Sequence, residues 1–147
     1  MKTTRLNTLT KNMLLGIFAI MIVISFSSCA KKVSFLNSAV QPAARGHAKV
    51  KRDNNNNYVI EIHLLNLAES KRLQPPKQTY VVWMVTDHDI TQNLGQVNTS
   101  TSLLSRKLKT SFKTVSPVKP IKIFITAEDE QGIQSPGGEI VLSTDRF

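Results

Sequence analysis

Between Gly46 and Leu64 the apolar side chains recur at every second position, a period that a pleated strand can use and a helix cannot. Gly46, Ala48 and Val50 alternate with His47, Lys49 and Lys51, and Tyr58, Ile60, Ile62 and Leu64 alternate with Val59, Glu61 and His63. Successive strand side chains point to opposite faces, so each run carries one apolar face and one more polar face, which 3.6 residues per turn would mix. Asp53-Asn54-Asn55-Asn56-Asn57 lies between the runs. Asn and Asp tolerate left-handed backbone and bond their own main chain, so the two runs predict a β-hairpin.

The same signal recurs downstream. Ser70 to Gln78, with Pro75-Pro76, reads as a connection between sheets, since neither proline can donate a ladder N–H. Thr79 to Thr86 is apolar on both faces and rich in β-branched and aromatic types, which predicts a central strand with Trp83 at the centre of the core, between two sheets. Leu94–Val97, a strand from Leu108, Ile121–Ala127 and Glu139–Ser143 follow, separated by Pro117 and Pro120, by Gln131-Gly132 and by Pro136-Gly137-Gly138. Leu103, Leu104 and Leu108 also fit a helical turn. Seven short strands and no long amphipathic helix predict an all-β fold, an antiparallel two-sheet, immunoglobulin-like sandwich over residues 45–147.

The N-terminus has a different grammar. Lys2, Arg5 and Lys11 form a positive region, an apolar run from Met13 to Phe26 follows, and Ser27-Ser28 precede the only cysteine, Cys29. A bilayer-crossing helix needs about 20 apolar residues, so this shorter run predicts a cleaved signal helix over residues 1–28. Phe26-Ser27-Ser28-Cys29 resembles a bacterial lipobox, with Phe26 in place of the usual leucine. That resemblance implies a diacylglycerol on Cys29, a use for an otherwise odd cysteine.

Cleavage before Cys29 leaves residues 29–147 and lowers the formal charge from +9 to +6. The remaining lysines and arginines read as scattered along the chain. They carry no aromatic-interleaved patch or nucleic-acid motif, which argues against a nucleic-acid partner. Such charge suits solvation and attraction to anionic lipid or to an envelope glycan or protein. Residues 29–44, small and polar around Lys31, Lys32, Ser34 and Pro42, read as a tether, although Val33 and Phe35 could begin an edge strand. No acidic residue follows Cys29 directly. By resemblance to lipoprotein sorting signals, this implies the periplasmic face of the outer membrane.

Tyr80-Val81-Val82-Trp83, Leu94-Gly95, Phe124 to Glu128 and Gly138 to Leu142, in that order, resemble the extracytoplasmic β-sandwich of anti-sigma-K-type factors. The resemblance covers roughly residues 44–144 and implies a sandwich with a sensing or interaction ancestry. The chain has none of that family's sigma-binding or zinc-binding segments, so no functional residue carries over. It is also similar to small bacterial lipoproteins without an assigned mechanism.

Catalytic chemistry has little to stand on. Asp87-His88-Asp89 is the nearest approach to a metal or acid/base group and would carry the metal-dependent enzyme alternative. On an extended chain, however, its neighbours point apart, and a turn is the plainer reading. Glu128-Asp129-Glu130 lacks the alternating ligands of a calcium loop. His47 and His63 could face each other across the hairpin without a third ligand, and no serine sits in a nucleophile motif. A ligand-sensing sandwich would need an aromatic-lined cavity beside Tyr80. The expectation is a lipid-anchored, non-enzymatic module with no cofactor, metal or catalytic residue.

Overall fold

The computed structural model describes residues 11–13, 15, 17, 30–97 and 109–147. Lys11, Asn12, Met13, Leu15 and Ile17 are helical. Among the described residues no helix is long and apolar enough to cross a membrane. The expectations for Cys29 and for Leu103 to Leu108 lie outside the described residues.

Eight strands form two four-stranded antiparallel sheets. The first has the order β1 (Lys31–Ser34), β2 (Arg45–Arg52), β3 (Tyr58–Leu65) and β6 (Lys109–Ser116). The second has the order β5 (Thr91–Val97), β4 (Thr79–Thr86), β7 (Pro120–Glu128) and β8 (Glu139–Ser143). Ala48, Val50, Ile60, Ile62 and Leu64 of the first sheet pack on Tyr80, Val82, Met84, Ile123 and Ile125 of the second. Each such aliphatic side chain taken from water contributes about 1.5–3 kcal/mol, and this layer holds the sheets together.

The hairpin turn is closed by its own side chain. The Asp53 carboxylate accepts from the N–H of Asn55 at 2.8 Å and of Asn57 at 2.9 Å, while Asn56 takes the left-handed φ of 64°. At β5 a bulge opposite Val82 and Trp83 sets Gly95 at φ 131°, where a Cβ would lie 3.2 Å from the Phe112 ring. Only glycine gives that backbone both its angle and its room beside β6.

The segment read as a tether is built into the sandwich from Lys31 onward, where Val33 and Phe35 do mark an edge strand, and with it the described strands number eight. Val33 pairs with Ala48 and Ser34 with His47, so β1 takes the free edge of β2. Phe35 then donates its N–H to the Gly46 carbonyl and bridges to Thr144 beside the second sheet. Further on, Gln41 donates to the Tyr80 hydroxyl, Tyr80 donates to the Ala68 carbonyl at 3.0 Å, and the Ala68 N–H donates to Gln41 Oε1 at 2.8 Å. This closed ring of bonds satisfies a buried amide and a buried phenol together, which the interior requires.

Trp83 is fully buried, but on the outer side of the second sheet. It packs with Val81, Phe124, Val85 and Ile133, its ring stacked on Phe124 with centroids 6.4 Å apart. Because β4 is apolar on both faces, alternation sends Tyr80, Val82 and Met84 to the intersheet core and Val81 and Trp83 away from it. The segment between β7 and β8 covers them. Asn93 Nδ2 holds the Ile133 carbonyl at 2.7 Å, and the buried Glu128 carboxylate accepts from the Gly137 N–H at 3.2 Å.

Candidate interaction surface

The charged residues of the first sheet are not scattered in space. Strand pairing aligns their outward side chains in rows across β1, β2, β3 and β6. One row runs Lys32, Lys49, Glu61, Lys113; the next runs Ser34, His47, His63, Ser111. Flanking rows hold Arg45, Leu65 and Lys109 on one side and Lys51, Val59 and Val115 on the other. Directly opposed positions stand about 5 Å apart at Cβ, so lysines 32 and 49 repel each other across the ladder. The outcome is a basic face on which Lys32, Arg45, Lys49, Lys51, Lys109 and Lys113 are all exposed and Glu61 is the one acid among the described residues of these rows.

The face imposes its field on what lies in it. Lys113 Nζ sits 2.9 Å from Glu61 Oε1, and this hydrogen bond, then the lysine's charge, holds the Glu61 carboxyl below its ordinary range. His47 and His63 face each other with ring centroids 5.2 Å apart. Partial burial, followed by the charges of Lys32, His63 and Lys49, lowers the pKa of His47 and favours the neutral ring. A cavity of about 460 Å³ opens on this face beside the hairpin turn, lined by Val59 and Val115 and by Lys51, Arg52, Asp53 and Lys113 together with Asn54 and Asn55. A surface of this kind can take an extended acidic partner by many weak charge contacts, with the cavity accepting a less polar group.

The chemical candidates read from the sequence fall elsewhere and stay apart. Asp87-His88-Asp89 is an exposed turn between β4 and β5, closed by bonds from the Asp89 and Ile90 N–H groups to Thr86. His88 Nε2 lies 3.8 Å from Asp87 Oδ1, while Asp89 pairs with Arg146. Of the acidic triplet, Asp129 pairs with Lys77 at 2.7 Å. Glu128 instead accepts from Thr126 Oγ1, which itself accepts from the Trp83 indole N–H at 2.8 Å. Among the described residues no three His, Cys, Asp or Glu side chains stand close enough to share a metal ion. Tyr80 is fully buried with its hydroxyl engaged as above, and burial raises its pKa.

The basic face was only half visible in the sequence. The alternation of Lys49 and Lys51, or of Lys109 and Lys113, shows in each strand alone, whereas their convergence depends on which strands pair and in what register. No family model, curated protein or solved structure matches the chain.

Proposed function

We propose that this protein is an exported lipoprotein, anchored through diacylglycerol on Cys29, whose sandwich serves as a non-enzymatic binding module in the cell envelope. Its place is the periplasmic face of the outer membrane. The observation that carries the binding role is the outer face of the first sheet, where among the described residues the paired rows hold six exposed cations and one acid. Like charges opposed across a ladder cost stability, and an anionic partner would relieve that repulsion. The partner class is an acidic envelope glycan or an acidic protein surface, held by contacts that weaken as salt rises.

Three measurements test this reading. Fractionation and mass spectrometry of Cys29→Ser should find the protein unprocessed or released from the membrane; processing at the same bond with undiminished membrane attachment would refute the anchor. Wild-type protein should bind polygalacturonate or polyglutamate at low salt, and Lys49→Glu with Lys113→Glu should lose that binding while keeping the fold. Calorimetric titration with zinc and calcium should give no saturable heat. A one-to-one signal abolished by Asp87→Ala would instead favour the metal-dependent alternative.

A further inference from the structure

A second basic cluster lies at one open end of the sandwich. A cavity of about 210 Å³ there is lined by Lys31, Lys51, Arg52, Tyr58, Lys119 and Phe147, together with Val50 and Pro120. Two of its cations lie against aromatic rings: Lys31 Nζ is 5.6 Å from the Phe147 ring centre, and the Arg52 guanidinium is 5.7 Å from that of Tyr58. Among the described residues none of these four cations is in an ion pair. The neighbouring acid, Asp53, spends its carboxylate on the Asn55 and Asn57 amides. Cations held on rings above an apolar floor make a receptor for an anion that carries an apolar portion.

The direction of β1 says where that anion would come from. Antiparallel pairing of Lys31 with Val50 puts the N-terminal end of β1 at the end of the sandwich that holds this cavity. Only Ala30 separates Lys31 from Cys29. Two residues reach at most ~7 Å, while the headgroup layer of a bilayer is about 5–8 Å deep on each side. A lipid on Cys29 would therefore hold the cavity within the headgroup layer, with no slack to lift it away.

We infer that the cavity between Lys31, Arg52 and Lys119 is a binding site for the phosphate headgroup of an anionic phospholipid, docking this end of the sandwich on the membrane surface. The inference rests on the proposed anchor at Cys29, and it sets the sheets upright so that the basic face of the first sheet looks sideways into the envelope.

The test uses the full chain in a neutral detergent, titrated with soluble dihexanoylphosphatidylglycerol, with dihexanoylphosphatidylcholine and with inorganic phosphate, and followed by amide NMR shifts. Saturable shifts at Lys31, Arg52, Tyr58 and Lys119 are expected with the anionic lipid at concentrations where the other two give none. Lys31→Glu with Lys119→Glu should weaken binding at least about tenfold, each reversed charge removing a favourable contact. Lys119→Glu alone, in an exposed turn, provides a variant with little risk to folding, and Lys71→Glu, exposed and outside both the cavity and the basic face, should leave binding unchanged. Equal binding of inorganic phosphate, absence of shifts, or unaltered binding in the charge-reversed variants would overturn the site. Lipid found on Cys29 beside a silent cavity removes this inference alone; saturable binding by a chain whose Cys29 proves unmodified keeps the site and removes the anchor.

Discussion

The two sheets present outer faces of opposite character. On the second sheet Val81, Trp83 and Phe124 are roofed by the chain itself, through Ile133 and the loop that Glu128 and Asn93 hold down. On the first sheet the corresponding positions carry Lys32, Lys49, Lys51 and Lys113, and among the described residues all four are exposed. Apolar outward residues compel the fold to cover them, whereas charged ones leave the face to solvent or to a partner. In this molecule the second outer face therefore adds to the buried core, whereas the described side chains of the first stay exposed.

The difference can be broken most forcefully at Trp83. Trp83→Ala should cost about 3–5 kcal/mol in denaturant unfolding, as for emptying a large aromatic from a core, although the residue lies outside the intersheet layer. Leu65→Ala, on the exposed face of the first sheet, should stay within about 0.5 kcal/mol of wild type. Equal losses at the two sites would erase the distinction. A finer cut is Thr126→Val, which removes the acceptor of the indole N–H and one of two donors to Glu128; about 1–3 kcal/mol should be lost, since the indole N–H is left buried and unpaired while Glu128 keeps the Gly137 N–H.

The smallest effect expected is electrostatic. His47 has a folded-state pKa below 6.5, so the unfolded chain takes up its proton first as the medium is acidified. The resulting contribution is fully present above the unfolded value and is lost as pH falls through the folded one. Thermal melts should show wild type losing more stability from neutral pH to pH 5 than His47→Gln. Added salt should narrow the gap by screening Lys32 and Lys49.

How much was legible in advance follows the same division. Thr79–Thr86 and Glu139–Ser143 have the observed ends, and the Asp53–Asn57 turn joins the expected pair, because alternation and turn chemistry act locally. The side of the sheet on which Trp83 lies was not legible. A strand apolar on both faces gives alternation no direction, and the roof over it comes from an irregular loop whose one apolar contribution is Ile133. Strand β1 was obscured for another reason. Lys31, Lys32 and Ser34 are exposed and held by backbone bonding to β2, so only Val33 and Phe35 hinted at the edge strand. For the basic face, the residues were in view and the register that assembles them was not.

The bridge between Phe35 and Thr144 has a consequence for how this protein can be made. It joins positions more than about a hundred residues apart, and Leu36 adds a bond from its N–H to the Ser143 carbonyl at 2.8 Å. Contacts so distant in sequence form only after a large loss of chain freedom, so they favour late closure. During synthesis β1 and the Phe35 N–H can rest on β2 early, but the bridge to Thr144 and the Leu36 bond to Ser143 wait until β8 has emerged. The clasp closes last, and a chain whose final strand has yet to be made cannot complete it.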